Sequence, residues 1–512
     1  MKIQRTKNAA RNIFFGILYK AVAMLFPFTV RTTILYILGS EYIGLSSLFT
    51  SILSFLSLAE LGIGHALVYS MYKPIAEDDT DTICALLNLY RKLYRYIGFV
   101  ILSVGIVLLP FLKYMIKGSC PADINLYALY LIYLFNTVIS YWMFAYKQSL
   151  LSAFQRSDII SKRAMILQTF MYTVQIVSLF LFRNYYIYIL WLPIITIATN
   201  LANAVIANKM FPEYKCYGHV SKELEGSIRK KALALFGTKA NAIVLHAADN
   251  IVISAFLGLV VVGQYGNYYY IINSLIGIMS IFYSSLTAGI GNSLETENLE
   301  KNYKDYNELT FINTWMTMFC TISLFCLYQP FMKLWVGEKL LLPTSVVILL
   351  AVYFYVYQFY RITLTYKDAA GIWWEDRLRP YVAMIINVIC NIILVQFIGL
   401  EGVILSTILS LLISVPWATY TVFKYIFHRP SMSYYRKVFI HMVFTIVVCF
   451  ITWNLCLFLH EGIVGFFEKA IMCVILPNIL FIIVFYKTPE FKGLIIRSMP
   501  LLYKIKNKFL KG

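Results

Sequence analysis

An all-α integral membrane protein of about 14 transmembrane helices is the fold class this sequence predicts, and three observations predict it. Hydrophobic residues make up 60% of the 512 and charged residues 13%, against roughly 45–50% and about 25% in a soluble domain. The apolar residues gather into runs close to the roughly 20 residues that cross a bilayer as a helix. The connecting segments alternate in basic charge, as cytoplasmic and external loops do.

In chain order the apolar runs are 13–38, 42–72, 96–112, 124–146, 164–182, 185–208, 233–257, 264–290, 308–328, 344–366, 380–398, 402–423, 438–459 and 470–486. Two pairs are close enough to need a turn between them. Arg183-Asn184 supplies it in the first, and Gly399-Leu400-Glu401-Gly402 in the second. The basic segment before 13–38 imitates a signal peptide. Lys20 and Arg31 interrupt the run that follows, and no small-residue cleavage site closes it, so it reads as a retained first helix.

With the N-terminus placed inside, 34 of the 44 lysines and arginines fall on cytoplasmic segments and six on external ones. Fourteen helices with both termini cytoplasmic satisfy that split. The same bias accounts for the net charge of +19, so no nucleic-acid partner is expected. The nine cysteines form no CxxC pair and sit mostly in apolar runs, where a thiol acts as a small hydrophobe. Neither a disulfide framework nor a metal site is expected.

The longest break between spans, 209–232, divides the chain into an N-terminal lobe at 1–208, a C-terminal lobe at 233–425 and a final segment, 426–512, of two helices and a basic tail. An internal repeat supports the division. Ile34-Leu35-Tyr36-Ile37-Leu38-Gly39, followed by Gly44, matches Ile253-Ser254-Ala255-Phe256-Leu257-Gly258, followed by Gly263, at an offset of 219. A second match pairs Gly62-Ile63-Gly64 with Gly289-Ile290-Gly291 after an eight-residue insertion.

Ionisable groups inside spans are costly and mark wet cavities or partners. They are Lys20, Arg31, Glu60, Lys239, Asp249 and Arg361, with His65 and His246. Lys20 and Arg31 lie eleven residues apart, three helical turns, and share one face. Lys239, His246 and Asn250 share another. The offset of 219 carries Lys20 onto Lys239. Two lysines facing each other across a cleft suit an anion held between them, which makes Lys20, Lys239 and Arg31 candidates for diphosphate binding. Glu60, His246 and Asn250 would then balance polarity and charge. Two alternatives stay open: local neutralisation of Lys20 by Glu60 and of Lys239 by Asp249, or snorkelling.

Enzyme signatures are poor. Asp79-Thr80-Asp81 fits a metal-binding DxD but sits in an acidic loop without a nucleotide-binding domain, and no P-loop is present. The abundant tyrosines and Trp373-Trp374 suit helix packing and interface belts.

Over residues 31–98 the segments GSEYIGL, SLAELGIG, YKPIAEDD and YRKLYRYIG resemble the polysaccharide transporter family, the Wzx-type flippases of the MOP superfamily. The resemblance implies two six-helix lobes in a V, two further C-terminal helices, and a transporter rather than an enzyme. It implies flipping of undecaprenyl-diphosphate-linked oligosaccharide across the bacterial cytoplasmic membrane by alternating access, for capsule, O-antigen or exopolysaccharide assembly. Membrane lipid, a polysaccharide polymerase and glycosyltransferases would be partners. No cofactor is implied beyond Na+ or H+ coupling, for which Asp249, Asn387, Asn391 and Thr407 stand where sodium-coupled relatives hold their ion. A pair of asparagines leaves that set one carboxylate at most. The alternatives are a drug or small-molecule exporter on the same fold and, with less in its favour, a membrane polymerase or glycosyltransferase.

Overall fold

The structure is a computed structural model that describes residues 5–496. Among the described residues every regular element is a helix. The chain divides into two compact units, 1–266 and 267–512. The first holds α1 (Arg5–Ile37), α2 (Ser40–Leu56), α3 (Ile63–Ala76), α4 (Thr80–Leu108), α5 (Leu126–Trp142), α6 (Gln148–Ala153), α7 (Ser157–Phe182), α8 (Tyr185–Met210), α9 (Lys222–Leu257) and the start of α10 (Leu259–Thr296). The second holds the rest of α10, then α11 (Leu299–Val336), α12 (Thr344–Phe359), α13 (Arg361–Ala369), α14 (Arg379–Val422), α15 (Met432–Leu457) and α16 (Gly462–Phe485).

Among the described residues eleven helices are long and apolar enough to cross a membrane, or twelve if the bent α5–α6 pair is one span. The expected fourteen is not reached by that measure; besides the bent α5–α6 pair, two places account for the difference. The run 42–72 is not one helix: a 3-10 turn at Ser57–Glu60 and a left-handed Gly62 (φ 86°) break it into α2 and α3. The runs 380–398 and 402–423 form a single 44-residue element, α14, whose backbone leaves the helix at Ile398 and Gly399. There the chain folds back, so that the Asn387 amide donates to Thr407 Oγ1 at 3.0 Å, twenty residues on. Large apolar side chains such as Phe397 (80% exposed) and Phe458 (86%) point outward. That is unfavourable in water and natural in lipid, where a helix already satisfies its own backbone. The chain is a multi-pass membrane protein.

The offset of 219 holds at the level of backbone geometry. Ser40, the start of α2, maps onto Leu259, the start of α10; Thr80, the start of α4, maps onto Leu299, the start of α11. The residues before α2 and α10 are Gly39 (φ 117°, ψ 173°) and Gly258 (φ 96°, ψ 170°), a conformation open to glycine and strained for other residues. The residues before α4 and α11 are Asp79 and Asn298, whose side chains accept from the backbone N–H of Thr82 and Lys301 at 3.0 and 2.9 Å. Both are N-caps that satisfy an orphan donor. The second sequence match is overturned. The unbroken offset carries Gly62 onto Ile281, α2 through α3 spans nearly the same length as α10, and Gly289 lies within a continuous helix. Two GIG segments in apolar surroundings coincide by chance.

Within the first unit α1 packs along α7, and α9 packs against α2 and α3. Within the second, α11 is central, meeting α12, α15 and α16. Buried tyrosines tie helices together: Tyr133 and Tyr185 share a hydrogen bond at 3.0 Å, and Tyr268 donates to Gln329 Oε1 at 2.7 Å.

Candidate functional site in the first unit

A cavity of about 440 Å³ opens between α1, α2 and α9. The α2 segment GLSSLFTSILS places hydroxyls at Ser46, Ser47, Thr50, Ser51 and Ser54, steps of one, three and four that line a single helical face. From α9 come Ala242, Ile243, His246, Ala247 and Asn250, and from α1 comes Arg31. Asn250 donates its amide to Ser51 Oγ at 2.9 Å, which couples α9 to α2. Arg31 Nη2 lies 3.4 Å from the carbonyl of Gly263. Gly266 leaves the room this guanidinium needs, since a Cβ there would stand 2.5 Å from Arg31 Nη2. No carboxylate is among the described residues that line the cavity.

Three of the expected residues, Arg31, His246 and Asn250, thus meet in one place. Lys20 and Lys239 are not among the lining residues. Lys20 is half-buried on α1, and Lys239 is half-buried on α9, one turn before Ile243. Lys239 Nζ lies 3.0 Å from His65 Nδ1, on α3. Glu60 sits within electrostatic reach of both Lys239 and His65. Its carboxylate accepts from Tyr94 at 2.6 Å and from Tyr141 at 3.3 Å, while Tyr90 donates to Tyr94 at 2.9 Å. Local neutralisation therefore takes another form for Lys239 than Asp249. Asp249 is buried and accepts from Tyr265 at 3.4 Å.

In the second unit Asn387, Asn391 and Thr407 are buried together. Asn391 donates to Asn387 Oδ1 at 3.3 Å, and Ser406 donates to Asn391 Oδ1. These amides bond across the two arms of α14, as interhelical amides do in membranes. Asp249 belongs to the other unit.

The hydroxyl stripe of α2 and the pairing of His65 with Lys239 were not anticipated. The stripe carried a readable signal in its helical spacing. The pairing carried none, because it joins residues 174 apart. Asp79 of the DxD segment caps α4, and Asp81 accepts from Tyr217 at 2.9 Å. Both side chains thus have local structural partners.

The fold is similar to that of solved membrane transporters and of a solved lipid II flippase. A lipid II flippase MurJ in an inward closed conformation superposes with a TM-score of 0.65 at 13% identity, covering 93% of this chain and 99% of that one. An inward-facing multidrug resistance MATE family transporter of the MOP superfamily gives 0.59 at 15% identity, covering 80% and 97%. A Vibrio cholerae MATE transporter gives 0.57 at 12%, covering 83% and 99%. At these identities the likeness is one of fold. No protein-family model matches the chain, and neither does any curated protein sequence.

Proposed function

We propose that this chain is a membrane transporter that flips an undecaprenyl-diphosphate-linked oligosaccharide, a polysaccharide repeat unit, between the leaflets of the bacterial cytoplasmic membrane. The observation that carries the reading is the lining of the first unit's cavity: a guanidinium, an imidazole, an amide and five hydroxyls, with no carboxylate among the described lining residues. Such a surface donates hydrogen bonds to phosphate oxygens, and a guanidinium binds them through paired N–H groups. A cavity for cationic drugs would favour acidic groups instead. The fold likeness to a flippase of a lipid-linked substrate supports the same reading.

In this proposal Arg31 holds the diphosphate, His246 and Asn250 orient it, and Lys20 and Lys239 form a two-sided clamp at repeat-equivalent positions. The lobes are 1–208 and 233–425 on either side of the linker 209–232, both termini are cytoplasmic, and the lipid tail stays in the bilayer. For a coupling Na+ or H+ the candidates are Asp249 in the first unit and, separately, Asn387, Asn391 and Thr407 in the second. A polymerase and glycosyltransferases act on the same repeat unit.

The test is a deletion strain. Surface polysaccharide should disappear while lipid-linked repeat units accumulate on the cytoplasmic face, and Arg31→Ala should reproduce that block with normal protein level. Absence of the lipid-linked units would favour an enzyme of their synthesis. Unchanged polymer together with new drug sensitivity would favour an exporter.

A further inference from the structure

Three cysteines remote in sequence meet inside the second unit. Cys326 of α11, Cys456 of α15 and Cys473 of α16 are all buried, and their sulfurs lie within 4.8 Å of one another. They sit in the apolar core that joins these three helices, beside Met318, Ile322 and Val448. Three thiols this close together offer the donor set of a soft metal ion.

We infer that Cys326, Cys456 and Cys473 form a three-sulfur site for one soft d10 metal ion, Cu(I). Soft thiolates select Cu(I), zinc and iron–sulfur clusters, whereas structural zinc takes four ligands. A metal at about 2.3 Å from each of three sulfurs, as in metal–thiolate bonding, separates those sulfurs by roughly 4 Å. The observed grouping needs little closure to reach that spacing. Three helices contribute one ligand each, so the ion would staple α15 and α16 to α11.

Charge and access also fit. Binding converts three thiols and one Cu(I) into a trithiolate complex and releases three protons; no electron is transferred, and only S–H bonds are broken. The complex carries two negative charges. Lys469, one turn before Cys473 on α16, lines the same cavity as Cys326 and Cys456 and can offset part of that charge. That cavity, about 790 Å³ between α11, α12 and α15, is lined by Cys326 and Cys456 and is the route in that we assign to the ion.

The experiment uses the full chain in detergent, reduced and kept anaerobic, with Cu(I) supplied as its acetonitrile complex and excess removed by gel filtration against a weak chelator. One copper per chain should be retained, and X-ray absorption should show three sulfurs at a single short distance. C326S, C456S and C473S should each lower retention at least tenfold, while C390S, outside the cluster, should not. Equal retention by all four variants, fewer than three sulfur neighbours, or retention of zinc in preference to copper overturns the assignment. Where a serine variant does not elute as a folded protein, the alanine variant at that position and the absorption spectrum of the unaltered chain decide.

Discussion

Gly44 and Gly263, 219 residues apart, make the same contact from opposite sides. A Cβ on Gly44 would collide with the carbonyl of Leu259, and one on Gly263 with the carbonyl of Ser40. Ser40 and Leu259 are themselves equivalent, as the first residues of α2 and α10. Each helix start rests on the other's glycine, and backbone is the obstacle on both sides. Gly44→Ala and Gly263→Ala should each destabilise by about 1–3 kcal/mol, the usual cost of overpacking. Gly226, on α9 with open space around it, supplies the contrast. Gly226→Ala should be neutral or gain up to about 1 kcal/mol from helix propensity. Thermal melts in detergent check both signs.

Gly266 offers a milder probe of the cavity. Its added Cβ would meet the far end of a flexible side chain, Arg31, rather than backbone. Gly266→Ala should leave the melting temperature within a degree or two and displace the guanidinium. Surface polymer should fall several-fold. Full transport with Gly266→Ala would remove Arg31's position from the mechanism.

Lys239 and Lys20 separate the clamp from a structural ion pair. Under the clamp, Lys20→Ala and Lys239→Ala each abolish surface polymer at normal protein level, and arginine at either position retains part of it. His65→Ala, which removes the neighbour of Lys239, should reduce transport less than Lys239→Ala does. Recovery of transport by Lys20→Met combined with Glu60→Gln would instead make Lys20 a structural partner of Glu60.

Asp376 holds two buried cations. Its Oδ2 lies 3.1 Å from Lys367 Nζ and 2.7 Å from Arg379 Nη2, with all three side chains nearly inaccessible. Asp376→Asn leaves Arg379 without its carboxylate and Lys367 with only the half-exposed Asp368, and breaking a buried pair in this way costs about 3–5 kcal/mol. Loss of folded protein on detergent gel filtration is the expected outcome, and Asp368→Asn, at the half-exposed neighbour, should cost much less.

Topology is open to cysteine chemistry. Cys120 and Cys216 are both partly accessible. A membrane-impermeant maleimide applied to intact cells should modify Cys120 and spare Cys216. The reverse pattern would invert the orientation.

Membrane class, the repeat and most helices were legible in the sequence because lipid imposes a local rule: a spanning segment must satisfy its own backbone and present apolar side chains, whatever its neighbours do. The glycines at 39, 44, 258 and 263 were legible as repeat positions, and the structure gave the reason: a positive φ and a close approach each exclude a Cβ. Tertiary structure decided the rest. The breaks at Gly62 and Gly399 lie inside apolar runs that hydropathy reads without regard to backbone direction. Which polar groups meet depends on how helices rotate against one another, and that rotation is set by packing. So Arg31, His246 and Asn250 converge on the α2 hydroxyls, Lys239 finds His65, and Cys326, Cys456 and Cys473 close on one point. Each of these contacts joins residues brought together by helix packing, and no local spacing along the chain encodes it.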